Sequence, residues 1–168
     1  HIKPKEFVSI IGPSGSGKDT ILKKVFEKMP DIKFSISSIT RPMRPGEVEG
    51  EKYHFVSREY FEDMIKNDLL LEYNNYVGNY YGTPKKAVLE KLENGIDVVL
   101  EIEVKGAMQV RSKYPEGVYV LLVPPLMQEL EERLRGRQTE DDETIKKRLA
   151  KAKEEMSHFD RYNYVIVN

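Results

Sequence analysis

The chain has 168 residues, 39% of them hydrophobic, so one core with attached segments is expected rather than two independent domains. Lys+Arg 27 against Asp+Glu 28 leave a net charge of −1, which excludes a global basic field and argues against nucleic acid as a partner. With no cysteine there is no disulfide and no thiolate metal site, and no apolar run approaches the roughly 20 residues that span a bilayer.

Phe7-Val-Ser-Ile-Ile11 has the length and apolar density of a central strand buried on both faces. It runs directly into Gly12-Pro-Ser-Gly-Ser-Gly-Lys18, a full match to G-x-x-x-x-G-K. Glycines there let consecutive N–H groups turn inward on an anion. The helix that follows adds its unpaired N-terminal N–H groups and the positive end of its dipole. Lys18 supplies a mobile charge for outer phosphates. In that helix Ile21, Leu22, Val25, Phe26 and Met29 share a face, and Pro30 stops it. Lys33–Ser37 reads as a short second strand.

The middle of the chain interrupts this alternation from about Phe34 to Gly82. Thr40-Arg-Pro-Met-Arg-Pro-Gly46 excludes helix and central strand. Tyr53–Val56 alternates like a strand, and Ser57 caps a helix through about Lys66. Leu69–Tyr73 and Asn75–Val77 are extended, and Gly78-Asn-Tyr-Tyr-Gly82 reads as a tyrosine-rich turn.

Thr83-Pro84 reads as a helix start with Pro at the first helical position, and Asn94-Gly95 as its stop. Asp97–Ile102 is a buried strand, Val104–Lys113 a helix and Val118–Val123 another strand. Leu126–Arg137 and Glu140–His158 are charged helices, and Tyr164–Val167 is a fifth core strand. This order implies an α/β fold with a five-stranded parallel sheet, helices on both faces, and ligands at the carboxyl ends of the strands.

Several residues outside the glycine loop carry candidate chemistry. Arg41 and Arg44 offer guanidinium forks that suit phosphate, although a solvated basic loop would look the same. Glu72 follows the apolar run Leu69-Leu-Leu71, where a carboxylate needs a partner. A guanine edge offers two adjacent donors, N1–H and N2–H₂, whereas adenine presents an acceptor at N1. Tyr53, Tyr80 and Tyr81 fit either a site or a core with wet hydroxyls. Arg133 and Arg137 share a helical face, and Arg148 lies on the next helix. They could neutralise a transferring phosphoryl group, or simply pair with acids one turn away.

Taken together, these segments resemble guanylate kinase along almost the whole chain. The resemblance rests on the glycine loop, Phe34-Ser-Ile-Ser-Ser-Ile-Thr-Arg41, Arg44-Pro-Gly-Glu-Val-Glu-Gly50, Tyr53-His-Phe-Val-Ser57, Gly78-Asn-Tyr-Tyr-Gly-Thr83, Arg133-Leu-Arg-Gly-Arg137 and Tyr164-Val-Ile-Val-Asn168. It implies a three-layer P-loop kinase fold with a β-rich GMP-binding insert and a helical lid. The implied division is core 1–33, 84–125 and 158–168, insert 34–83 and lid 126–157. It implies phosphoryl transfer from MgATP to GMP, in purine nucleotide metabolism and GMP recycling.

By the same resemblance Gly12, Pro13, Ser14, Gly15, Ser16, Gly17, Lys18, Asp19, Thr20 and Asn168 would hold ATP. Arg41, Arg44, Tyr53 and Tyr81 would hold the GMP phosphate, and Ser37, Glu72 and Thr83 the guanine, with Glu103 nearby. Lys18, Arg41, Arg133, Arg137 and Arg148 would serve transfer itself, with Mg²⁺ as cofactor.

The chain departs from the family pattern at three points. Asp19 stands where a small residue is usual, and we expect it to hold magnesium through water. Glu103 stands where Asp is more usual. The sequence stops at Asn168, where family members continue into a helix that would cover the last strand. The rival readings are a kinase-like domain that binds phosphopeptides and a kinase acting on a sugar phosphate. The intact loop argues against the first, and Ser37, Glu72, Tyr81 and Thr83 argue against the second. A cytoplasmic monomer or homodimer without membrane partners is expected, since His1-Ile2-Lys3-Pro4 has no signal-peptide pattern.

Overall fold

Alternation along three strands divides the structure into layers. In the computed structural model, which describes residues 7–13, 15–76, 78–136 and 141–168, β1 (Phe7–Ile11), β7 (Val98–Glu101) and β8 (Val118–Val123) lie side by side. Phe7, Ile11, Val98, Leu100, Tyr119, Leu121 and Val123 face one core, which also holds Ala107 and Val110. Val8, Val99 and Val120 face the other, with Leu22, Ile32 and Phe26. Period-two side chains on strands buried on both sides give the near-continuous apolar runs seen in the sequence.

The parallel sheet has the order β2-β7-β1-β8-β9, with β2 at Lys33–Phe34 and β9 at Tyr164–Val167. Helix α1 (Lys18–Lys28) packs through Leu22 on one face, and α4 (Val104–Lys113) packs through Ala107 and Val110 on the other. Helix α3 (Lys85–Glu93) adds Val88 to the α4 side. The five parallel strands and the two-sided helical cover agree with the sequence expectation. All four residues of the edge strand β9 are exposed.

A second sheet of four strands, order β4-β3-β6-β5, stands beside the first. It comprises β3 (Ser37–Ile39), β4 (Tyr53–Phe55), β5 (Leu70–Tyr76) and β6 (Asn79–Pro84), with α2 (Arg58–Lys66) between β4 and β5. Ser57 caps α2 as expected, its side chain accepting from the Tyr60 amide at 3.1 Å.

Three boundaries differ from the sequence expectations. Lys33–Ser37 is not one strand. The Ser35 amide makes the last bond to β7, at 2.9 Å to the Val99 carbonyl, and Ser37 already belongs to the second sheet. The tyrosine-rich stretch is no turn but β6, an inner strand paired with both β3 and β5. The Tyr80 ring stacks on Phe61 with centroids 5.0 Å apart, so these tyrosines are strand residues with packing partners. Thr83 also lies in β6, and Pro84 occupies the cap position of α3 rather than its first turn.

Two further helices follow β8: α5 (Met127–Gly136) and α6 (Asp142–Met156). They pack on each other through Leu130, Leu134, Ile145 and Ala152. Asp141 caps α6 by accepting from the Thr144 amide at 2.7 Å. Among the described residues no helix is long and apolar enough to cross a membrane.

Candidate active site

The two sheets and α6 enclose one cleft of about 500 Å³ at the carboxyl ends of β1 and β7. The glycine loop forms one wall. It leaves β1 at Gly12 and enters α1 through Gly17, whose φ of 90° takes a left-handed conformation that glycine alone adopts without strain. The Lys18 ammonium folds back on this loop, donating to the Gly12 carbonyl at 2.5 Å and the Pro13 carbonyl at 3.1 Å. Burial lowers its pKa, and the carboxylates of Glu101, Glu155, Asp19 and Glu103 oppose that fall.

Asn168 secures the loop from behind, its side-chain amide donating to the Ser16 carbonyl at 2.9 Å. Arg133 on α5 reaches the Asn168 carbonyl at 3.0 Å and pairs with Glu129 at 3.4 Å, and it does not line the cleft. Arg148 on α6 does line it. Ser14 and Arg137 lie outside the described residues.

The opposite wall comes from the second sheet and the loop before it. Ser37, Arg41, Arg44, Tyr53, Glu72 and Tyr81 all line the cleft. The Arg41 guanidinium makes a two-pronged contact with Glu47, at 2.6 and 2.8 Å, and lies over the rings of Tyr53 and Phe55. Glu47 also accepts from the Arg44 amide at 2.7 Å. The Arg41 bond, then the amide, hold the Glu47 carboxyl down at about 2. One acid thus folds the proline-rich loop and holds the Arg41 guanidinium.

Glu72 is 5% exposed, an unusual burial for a carboxyl. It lies on the edge strand β5, and α4 covers that edge. Gln109 exchanges bonds with the Tyr73 backbone at 2.7 and 3.1 Å, and Lys113 reaches the Leu71 carbonyl at 3.2 Å. These contacts satisfy backbone groups on either side of Glu72 and clamp the strand to the helix. Thr83 is buried outside the cleft lining and donates its hydroxyl to Glu72 Oε1 at 2.7 Å. Burial pushes the Glu72 carboxyl up to about 7, against the pull of the Thr83 bond.

Gly106, in the first turn of α4, makes this placement possible. A Cβ there would overlap Glu72 Oε2 and stand 2.9 Å from its Cδ. Alanine ordinarily stabilises a helix interior by about 1 kcal/mol over glycine. Here Gly106→Ala is expected to lower stability by about 1–3 kcal/mol in denaturant unfolding, through overpacking. A gain in stability would show that the helix does not press on Glu72.

Glu103, at the cap position of α4, accepts from Asn74 at 3.0 Å and from the Lys151 ammonium at 2.8 Å. Lys151 projects from α6 and lies 4.6 Å from the centre of the Tyr76 ring, so it ties that helix to both sheets. Lys52 crosses in the other direction. Rooted beside β4, it binds Asp19 at 2.6 Å and stands 3.2 Å from Glu101, a separation that is ionic rather than a well-angled hydrogen bond. Burial alone would lower the Lys52 pKa, but the Asp19 bond and the Glu101 charge outweigh it and hold it above the usual lysine value.

Lys52, Lys151, Asn74, Glu101 and Glu155 line the cleft without having been singled out by the sequence. For Lys151 a signal existed, since it lies three residues after Arg148 on the same helical face. Lys52 sits in the mixed-charge run Glu49–Lys52, where nothing in the spacing marks it.

The Glu72 shift has a definite consequence for stability. Below about pH 4.5 its carboxyl is protonated in both the folded and the unfolded chain. Between that value and about 7 the unfolded chain ionises while the fold keeps the proton, so the stabilisation falls as pH rises and is gone above about 7. The loss amounts to roughly 3 kcal/mol. Denaturant unfolding at about pH 5 and about pH 8 should show a larger loss for the native chain than for Glu72→Gln. Parallel losses would place the Glu72 carboxyl in the ordinary range.

The family model for guanylate kinase matches residues 4–168. The guanylate kinase of Oceanobacillus iheyensis is 51% identical over 168 residues, 99% of this chain and 82% of the relative. That of Streptococcus agalactiae is 55% identical over 159 residues, 94% of this chain and 76% of the relative. Among solved structures, guanylate kinase from Anaplasma phagocytophilum superposes with a TM-score of 0.76 at 31% identity, covering 99% of this chain and 78% of that one. With a matching fold, a match over nearly every residue and the two-walled cleft in place, the chain belongs to the guanylate kinase family.

Proposed function

We propose that this chain transfers a phosphoryl group from ATP to GMP, giving ADP and GDP. The carrying observation is that the glycine loop with Lys18 and the buried Glu72 carboxyl line the same cleft, with Arg41, Arg44, Tyr53 and Tyr81 beside them. The loop amides and Lys18 hold the donor phosphates; Lys18 exchanges its bonds to Gly12 and Pro13 for phosphate oxygens. Asn168, locked onto Ser16, supports the loop on the adenine side.

Arg41, Arg44, Tyr53 and Tyr81 receive the acceptor phosphate. Arg41 releases Glu47 to do so, exchanging one two-pronged oxyanion contact for another. Glu72 in its ionised form accepts the guanine N1–H and N2–H₂, held in place by Thr83, with Ser37 and Glu103 bordering the base. Two donors arriving at one buried carboxylate compensate its desolvation, which an adenine cannot do.

In the transfer, an oxygen of the GMP phosphate forms a bond to the γ-phosphorus, and the bond from that phosphorus to the bridging oxygen of ADP breaks. No side chain becomes covalently attached. The chain's contribution is placement and positive charge: Lys18, Arg41 and Arg148 around the phosphates, joined by Arg133 of α5 and by Arg137. The division into core 1–33, 84–125 and 158–168, insert 34–83 and lid 126–157 belongs to the same proposal. Closure of the lid would bring Arg133 into the cleft that it does not now line.

Magnesium accompanies ATP in this chemistry and neutralises charge on the donor phosphates. Asp19 and Glu101 fit such an ion, being two carboxylates that already bracket one cation, the Lys52 ammonium, beside the loop. Among the described residues no cluster of three or more His, Cys, Asp or Glu could hold a metal without other ligands. Nucleotide phosphates and water therefore complete the shell, as is usual for magnesium. A chain without cysteine suits a reducing compartment, and the cytoplasm is the proposed location.

A coupled assay of ADP release with GMP, AMP, UMP and CMP tests the proposal. GMP should be strongly preferred, and Glu72→Gln should cut kcat/KM for GMP by roughly 10–100-fold while leaving the KM for ATP unchanged. No turnover with GMP, or equal turnover with AMP, would overturn it.

A further inference from the structure

Lys52 has its root in one half of the cleft and its charge in the other. Its backbone leads into β4, next to Tyr53, and its carbonyl accepts from the Ser37 amide at 3.4 Å. Its ammonium instead binds Asp19 in the first turn of α1 and faces Glu101 at the end of β7. The Tyr53 ring neighbours both cations, its centre lying 5.8 Å from the Lys52 ammonium and 5.4 Å from the Arg41 guanidinium.

The Asp19 contact is a poor stability device, since the Asp19 side chain is 75% exposed and exposed ion pairs contribute little to folding. It is a good exchange device. Asp19 and Glu101 would be the carboxylates offered to the magnesium of a bound nucleotide, and a divalent ion there would compete with an ammonium of single charge. A half-buried ammonium that has lost both partners needs another anion. The flexible lysine stem brings it back over Tyr53, towards Arg41 and Arg44.

We propose that Lys52 is a positioning residue shared by the two substrate sites: it neutralises Asp19 and Glu101 while the donor site is empty, and is handed to the acceptor phosphate when a magnesium nucleotide takes those carboxylates. The inference rests on the GMP kinase reading above. It makes the two sites thermodynamically coupled. Filling the donor site adds one cation to the acceptor site, and linkage requires GMP to favour the magnesium nucleotide by the same factor.

The test is calorimetric titration of GMP into the whole chain, alone and with saturating ADP plus magnesium, a pair that cannot react. For the native chain the magnesium nucleotide should tighten GMP binding by about five-fold or more, and ADP with a chelator should not. In Lys52→Met the GMP affinity of the nucleotide-free protein should stay within about two-fold of native, because Lys52 is engaged elsewhere in that state, while the tightening is lost. Asp19→Asn weakens the hold on Lys52, so GMP alone should bind more tightly and the tightening should shrink. A merely structural role for Lys52 would alter the first affinity and not the ratio. Full tightening in Lys52→Met, or none in the native chain, would overturn the proposal. Failure of the native chain to bind GMP in any state would overturn the GMP kinase reading itself, and this inference with it.

Discussion

A carboxyl held nearly out of water between a strand and a helix imposes the main constraint on this molecule. Glu72 cannot be buried on β5 unless α4 covers the strand edge, and α4 cannot approach unless Gly106 lacks a side chain. Thr83 must then be on the neighbouring strand to give the carboxyl its hydrogen bond. The register of β5 against β6 and the packing of α4 on β5 together hold that group at the cleft. The cost is an acid pushed up to about 7 by burial. A ligand with two donors in the correct places removes that cost, and one with an acceptor there does not.

The charges of the free protein form pairs that anticipate substrate. Lys18 rests on the loop carbonyls, Arg41 on Glu47, Lys52 on Asp19 and Glu101, and Lys151 on Glu103. Each cation is oriented before an anion arrives, which limits the reorganisation that binding requires. Two of these contacts join different parts of the fold: Lys52 joins the second sheet to the parallel sheet, and Lys151 joins α6 to the N-terminus of α4; the neutral Asn168 amide likewise joins the end of β9 to the loop. Ligands that exchange these partners also alter how those parts are tied together.

Much of the framework was legible in the sequence because it is encoded locally. The glycine loop sits between an apolar run and an amphipathic helix, and its pattern is complete within the residues from Phe7 to Met29. The parallel strands announce themselves by being apolar on both faces. The second sheet was harder because its strands are half-exposed and rich in tyrosine, so Gly78–Gly82 read as a turn although β6 is an inner strand. What makes it a strand is Phe61 beneath Tyr80 and pairing with β3 some forty residues away. At the site, Glu72 was visible as a carboxylate after an apolar run. Lys52 was not, because its partner Asp19 lies 33 residues distant, and Lys151 carried only its spacing from Arg148, since its partner Glu103 lies 48 residues away. Thr83 was assigned to the base by resemblance, and its hydroxyl donates to the Glu72 carboxyl, a contact the sequence spacing does not reveal.

The central claim is that a buried, proton-retaining carboxyl at position 72 becomes the ionised reader of a guanine edge. Its titration can be followed directly by carbon NMR of labelled glutamate side chains, with the Glu72 signal assigned by its loss in Glu72→Gln. The midpoint should lie at about 7 without nucleotide, fall on saturation with GMP and stay unmoved by AMP. A midpoint near the ordinary value of 4.5, or the same response to both nucleotides, would contradict it.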